Sequence, residues 1–449
     1  METGLAARNG GRAGLIALVA ILLLGVGLRL GQAWDGRAPV YDARAYAAIA
    51  ANLDRGEGFA VGPGATQPSS NYSPGLPLFT AGLYKLTGGV HERFARVVLA
   101  LIGSLAVLFT YLIGRRLTPL ASFTPYEGRN SPIVAGLIGA AAVAIYPALL
   151  EYQGMLMSEP LAATLLSGAV LAMLWARDAE AKRWLLPGLL LGALAMVRPE
   201  YLAVALLLGL VVFGAGARED WRRALARAAI LLAGLAIVVV PWTVRNAVAL
   251  DRVVPISTGG GQVLFAGTYL PSDGDPEKVG AEVVAEHPEI FSPGDARALR
   301  LEQILARLAA HEYPGMESDK ALSKLGKEQL WDDVSEEPLE YAGFVATKVG
   351  RIWSHGPRDV MREPAWEALH WALLAFGLLG LAVLAWRRRW EALLIGVTFL
   401  AITAISAVLV ASPRRVLVML PLLAALAGCG VLFAAGWAQS LKVRRGSSQ

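Results

Sequence analysis

The 449-residue chain has one cysteine and five histidines. Cys429 alone cannot close an intrachain disulfide, and it lies inside a long apolar run, where it reads as a small buried residue rather than a redox centre. His91, His287, His311, His355 and His370 are scattered, with no zinc spacing such as HExxH. Charge is also scarce. Asp, Glu, Lys and Arg make up 17% of the chain, against about 25% in soluble domains. With 55% hydrophobic residues and a mean hydropathy of +0.50, this excludes an ordinary soluble fold. The net charge of +5 is no nucleic-acid signal, because the basic residues sit in short loops between apolar runs, where they set orientation. No internal repeat stands out, which counts against a transporter built from inverted repeats.

What is present is a series of apolar runs, several long enough for a bilayer, which takes about 20 residues. They predict an all-α polytopic membrane protein with about ten spans: 13–31, 94–114, 133–149, 158–176, 184–197, 201–215, 228–243, 366–386, 390–411 and 414–436. The first run is longer than a signal-peptide core and has no clear small-x-small cleavage site, so it reads as a retained span. Arg8, Arg12, Arg115, Arg116, Arg129, Arg177, Lys182, Arg183, Arg218, Arg222, Arg223, Arg227, Arg387, Arg388, Arg389, Lys442, Arg444 and Arg445 fall on one side of this topology. Short loops on the other side hold only Arg198, Arg414 and Arg415. The positive-inside rule then puts both termini in the cytoplasm. Residues 184–215 read as two short helices hinged at Pro199, since a single span would send the basic loop after it to the wrong side.

The chain divides into an N-terminal membrane core (1–250, with a first outside loop at 32–93), an outer loop region (251–365) and C-terminal spans (366–449). Helical patterns are expected outside the membrane near 42–55, 76–87, 294–311, 318–333 and 336–354. Ala/Gly/Arg-rich usage fits a bacterium of high GC content, and hence its cytoplasmic membrane.

The topology collects costly groups on the outer face: Asp42, Glu151, Glu159, Arg198, Glu200, Arg245, Arg414 and Arg415. A charge at mid-bilayer costs about 2.5–3.5 kcal/mol on insertion scales, and such residues usually face a cavity or a partner. Taken singly, each has a plainer reading. Arg198 could cap a helix or pair with Glu200, and Arg414 and Arg415 could snorkel to the interface. Glu159 suits a helix N-terminus, with Pro160 beside it. Asp42 could cap the helix it precedes, which would also hold a carboxylate in place. It is the convergence of both signs that points to a polar cavity at the outer leaflet. SDGD (Ser272–Asp275) has turn character, and STGGGQ (Ser257–Gln262) lacks the strand-to-helix context of a phosphate loop.

Asp42, Tyr46, Leu53, Gly56, Gly58 and Phe59 form a first-loop pattern that resembles the C-type glycosyltransferases, nearest the glycosyltransferase family 39 branch of protein O-mannosyltransferases and aminoarabinose transferases. SPGLPLF (73–79), SEPL (158–161), VRPE (197–200), PWTVRN (241–246), ISTGGG (256–261), EEPLEYAGFVATKVGRIW (336–353) and RRVLVMLP (414–421) follow in the family's order, so the resemblance covers most of the chain. Two positions depart from it. Ala43 stands where relatives often have a second acid, and Arg415 where they have tyrosine. Both put sugar identity and metal dependence in question.

The resemblance implies a polyprenyl-phosphate sugar donor, an outward-facing site and inverting transfer to an acceptor on a glycan, lipid or protein. Such a reaction needs a carboxylate to take the acceptor's proton and fixed cations for the leaving phosphate. Asp42 is the expected general base, with Glu159 as a further acid that orients the acceptor. Arg198, Arg245, Arg414, Arg415 and Lys85 are the expected donor-phosphate cations, with Arg414 foremost, and Tyr46 is an expected substrate contact. No cofactor is expected, and activity should not need added divalent metal, because no dense ligand cluster is visible. A lipid-linked glycan flippase and a glycan polymerase or ligase stand as alternatives; the flippase would not need Asp42 as a base.

Overall fold

In the computed structural model, residues 2–37, 42–121, 131–354 and 356–446 are described, with side chains from residue 11 to residue 442. Arg129, His355 and the side chains of Arg8, Arg444 and Arg445 therefore lie outside the described residues. The first apolar run is α1 (Glu2–Asp35), and the first outside loop carries two amphipathic helices, α2 (Asp42–Arg55) and α3 (Gly75–Thr87). α4 (Glu92–Ala121), α5 (Ser131–Ile145) and α6 (Pro147–Gln153) follow, with α6 bent 51° from α5. Next come α7 (Ser158–Ala176), α8 (Leu185–Val197) and α9 (Tyr201–Leu250). The outer region folds as α10 (Gly260–Thr268), α11 (Val279–Glu286), α12 (Asp295–Ala298), α13 (Leu301–Glu312), α14 (Ser318–Glu336) and α15 (Pro338–Ser354). The chain ends in α16 (Pro364–Trp386), α17 (Trp390–Val408) and α18 (Arg414–Gly446).

The protein is thus an all-α polytopic membrane protein. Among the described residues, seven helices are long and apolar enough to cross a membrane, or eight if α5 and α6 form one broken span. Two places account for most of the difference from ten. α8 has only 13 residues, and α9 runs for 50 as one element. Asp220 within α9 leaves the helical region (φ −152°, ψ 95°), so two helical runs meet in the basic loop expected between two spans. α8 stops where expected. Arg198 is extended (φ −142°, ψ 96°) because a residue before proline is kept out of the helical region.

Apolar helices in lipid gain little from mutual burial, so they associate through close van der Waals packing over small residues. α18 is the central helix and packs this way on two sides. A Cβ on Gly428 would lie 2.1 Å from the Ala135 carbonyl oxygen, and one on Gly430 would lie 2.0 Å from that of Phe376. α8 and α9 meet similarly, through Gly188 and Gly234.

The outer helices have their own small core, in which Phe265, Tyr269, Val283, Ile304, Leu305, Leu308 and Leu322 are buried. Two of its helices, α10 and α11, were not expected. The glycines of Ser257–Gln262 suggest a loop, yet Gly259 (φ +92°) turns the chain into α10, and Gly261 lets α10 pack against the α14 backbone at Asp319. The pattern expected over 294–311 is divided at extended Leu299, between α12 and α13.

Candidate active site

Glu159 sits in the first turn of α7, where the helix dipole favours a carboxylate, and its side chain is fully buried. Arg198, just past the last residue of α8, enjoys the opposite end of a dipole. Its Nη2 lies 2.8 Å from Glu159 Oε1. Arg414 is the first residue of α18, the wrong end of a helix for a cation. Two carboxylates offset this: its Nε donates to Glu159 Oε1, and its Nη2 donates to Asp42 Oδ2 at 3.0 Å. Asp42 opens α2, with 39% of its side chain exposed, and among the described residues only its Oδ2 is engaged. The cluster extends through Glu200, which is 3.4 Å from Arg198 Nη1 and 3.9 Å from Arg415 Nε. Asp42, Glu159, Arg198, Arg414 and Arg415, far apart in sequence, are therefore neighbours.

Glycine brings the first loop onto this cluster. A Cβ on Gly75, in the SPGLPLF segment, would lie 2.8 Å from the backbone nitrogen of Val197, so α3 abuts the end of α8 beside Arg198 only because the Cβ is absent. Ahead of α7, Leu156 adopts a left-handed conformation (φ 53°), which is uncommon for a residue with a side chain.

Arg245 and Lys85 are placed elsewhere. Arg245 stacks on Trp242 and donates to the Ser69 carbonyl at 3.0 Å, so it ties α9 to the first loop. Lys85 donates to the Asp54 carbonyl and links α3 to α2. Tyr46 is buried behind Asp42, with its ring edge-on to Tyr72 at 5.9 Å. Burial raises its hydroxyl pKa, and the nearby Asp42 carboxylate adds to the shift.

Asp42 lines a cavity of about 1150 Å³. α2 contributes Arg44, Ala45 and Ala48 to its wall, the first loop contributes Val61–Pro63 and Tyr72, and α13 contributes Leu301 and Glu302, with Arg300 just before it. Arg37 and Arg358 complete the mouth, both on Glu151, at 3.6 and 2.5 Å. Tyr72 lines the same cavity, and its pKa is raised by burial and then by the carboxylates of Glu302 and Asp42.

Sequence reasoning missed this second ring of arginines, because Arg37, Arg44, Arg300 and Arg358 lie in polar segments where arginine is unremarkable. It also missed Asn52. Buried Asn52 donates to the carbonyls of Ala60 (2.9 Å) and Gly62 (2.7 Å) and accepts from the amide of Gly64 (3.1 Å) and from Arg55 (2.5 Å). It thereby holds the loop that forms one wall. The signal was an amide on the apolar face of an amphipathic helix.

Among the described residues no group of three or more His, Cys, Asp or Glu side chains could hold a metal ion. Asp42 and Glu159 both face the Arg414 guanidinium.

No family profile and no curated protein sequence matches the chain. Solved structures do. The oligosaccharyltransferase AglB of Archaeoglobus fulgidus, in complex with an inhibitory peptide and a dolichol-phosphate, matches with a TM-score of 0.54 at 16% identity, covering 96% of this chain and 51% of that one. A crystal structure of the A. fulgidus oligosaccharyltransferase with Zn and sulfate matches with a TM-score of 0.53 at 16% identity, over 95% and 50% of the two chains. ArnT of Cupriavidus metallidurans, bound to undecaprenyl phosphate, gives a TM-score of 0.41 at 16% identity, over 93% and 75%. The chain spans about half the length of the archaeal enzyme. At 16% identity this likeness is one of fold: the chain shares the fold of the archaeal oligosaccharyltransferase.

Proposed function

We propose that the protein is an integral-membrane glycosyltransferase. It moves a sugar from a polyprenyl-phosphate donor to an acceptor hydroxyl at the outer face of a bacterial cytoplasmic membrane, with inversion at the anomeric carbon. The observation that carries this reading is Asp42, a half-exposed carboxylate fixed by Arg414 at the wall of a cavity whose lining also holds Arg37, Arg44, Arg300 and Arg358. Oδ1 takes the acceptor's proton as the acceptor oxygen attacks. The bond from the anomeric carbon to the phosphate oxygen breaks, and the pair of electrons leaves with the lipid phosphate.

Arg414, anchored by Glu159, orients the base. The arginines at the mouth, above all Arg44 and Arg300, meet the phosphate charge, which grows as the bond breaks. Neither of these two has an ion-pair partner among the described residues, so neither must abandon a carboxylate to do so. Arg198 and Arg415 are committed to Glu159 and Glu200 and act as the support of the site. No step is routed through a metal. The fold shared with an oligosaccharyltransferase solved with a dolichol-phosphate supports the lipid-phosphate donor.

The test is turnover of a polyprenyl-phosphate sugar by purified protein, wild type against Asp42→Asn. Transfer by the wild type that survives the substitution removes Asp42 as base. Movement of the lipid across vesicles with no transfer points to a flippase instead.

A further inference from the structure

Lys348 of α15 is a lysine with 1% of its surface exposed and no carboxylate within ion-pair distance among the described residues. Its Nζ donates to the carbonyl of Gly267 in α10 and, at 2.7 Å, to that of Ala407 in α17, and it lies 4.9 Å from the centre of the Phe344 ring. Three contacts then converge on the turn from α17 to α18. Gly267 lies flat on it: a Cβ there would be 2.3 Å from the Leu409 carbonyl carbon. The Val410 amide donates to the Val263 carbonyl at 3.2 Å. From the other side, Arg415 donates to the Val410 carbonyl and to Ser406 Oγ. The next residues along the chain lead directly to Arg414.

α10 belongs to the small outer core that also holds α13, and α13 carries Leu301 and Glu302 to the cavity wall. One lysine therefore ties the helix that supports the outer wall to the last turn of α17, from which the chain turns to deliver the guanidinium facing Asp42. Burial of a four-carbon ammonium is unfavourable unless its protons find acceptors, and two backbone carbonyls supply them.

We propose that Lys348 is a positioning residue which fixes the outer wall of the cavity and Arg414 relative to one another. The catalytic part of this statement rests on the glycosyltransferase reading above; the structural tie does not. A neutral amine still has two N–H groups for two carbonyls, so the tie holds on either side of the lysine's titration.

The test is amide hydrogen exchange of the full-length protein in lipid nanodiscs, for wild type and Lys348→Met, alongside transfer from a polyprenyl-phosphate sugar. In the wild type, Val410 should be protected although it lies outside any helix. Exchange there at the rate of a free loop overturns the proposal without recourse to a variant. In Lys348→Met, residues 409–412 should exchange about tenfold faster, while α11 and α13 keep their protection. Transfer should lose kcat with little change in donor KM. Unchanged exchange at the turn, or uniform loosening of all helices, overturns the proposal. Absence of transfer by the wild type defeats the glycosyltransferase reading alone, since the exchange result still decides the tie.

Discussion

Two carboxylates accept hydrogen bonds from the same guanidinium, and their surroundings divide the site into a floor and a mouth. Glu159 has no exposed surface and lies between Arg198 and Arg414. Asp42 keeps 39% of its side chain exposed and faces a cavity. An ion enclosed by protein cannot change partners without a desolvation cost of several kcal/mol, whereas a half-exposed one can. The comparison teaches that residue type and proximity do not assign roles here. The floor arginines hold carboxylates, whereas at the mouth Asp42 keeps an exposed face and Arg44 and Arg300 have no ion pair among the described residues.

The sharpest way to break that comparison is to remove each carboxylate in turn. Asp42→Asn should lower transfer by about 10²–10⁴-fold, the usual range for a general base. Its thermal midpoint should stay near the wild-type value, because a half-exposed pair contributes at most about 1 kcal/mol. Glu159→Ala should do the reverse in character. It removes the buried carboxylate shared by two part-buried guanidiniums, leaving Arg198 with Glu200 and Arg414 with Asp42, and should cost about 3–5 kcal/mol of stability, read from denaturation in a fixed detergent. If Glu159→Ala unfolds no more easily than Asp42→Asn, the division into floor and mouth fails.

The sequence made the floor legible and the mouth much less so, for physical reasons. A charge beside a span is costly, so Glu159, Arg198, Arg414 and Asp42 stand out against apolar surroundings, and each ends or begins a helix. Arg300 and Glu302 belong to a polar region where charge costs nothing, and only the packing of α10, α11, α13 and α14 brings them over Asp42. The outer helices near 318–333 and 336–354 were legible from spacing; α10 was hidden because its glycines serve close approach to α14 rather than a loop. Arg245 shows what position leaves out: its aromatic and carbonyl neighbours, Trp242 and Ser69, lie in segments that only the fold brings together.

A smaller effect should come from the loop that separates the two regions. Asn52 fills all four of its hydrogen-bonding positions, three of them with backbone of residues 60–64. Asn52→Ala leaves the buried Ala60 carbonyl short of a donor and should cost about 1–3 kcal/mol. Exchange at 62–65 should quicken while Glu159 and its neighbours stay protected. Loosening that spreads into α7 and α8 would mean that mouth and floor are one cooperative unit.

The smallest effect concerns Lys348, a buried cation with no carboxylate partner among the described residues, the counter-case to Arg414. Burial, followed by repulsion from Arg415, pulls the Lys348 ammonium down to about 8, from 10.5. Below pH 8 the lysine is charged in both the folded and unfolded chain, and the folded state carries the cost of enclosing it. Between pH 8 and 10.5 the folded chain has released the proton and the unfolded chain has not, so the unfolded state binds more protons and stability rises with pH. Lys348→Met lacks this contribution. The thermal midpoint of the wild type, measured relative to Lys348→Met in the same detergent, should therefore climb by a few degrees at most between pH 7 and pH 10. A difference that stays flat or falls would mean that water reaches the ammonium, and that Lys348 belongs with the mouth rather than with the buried groups that hold it in shape.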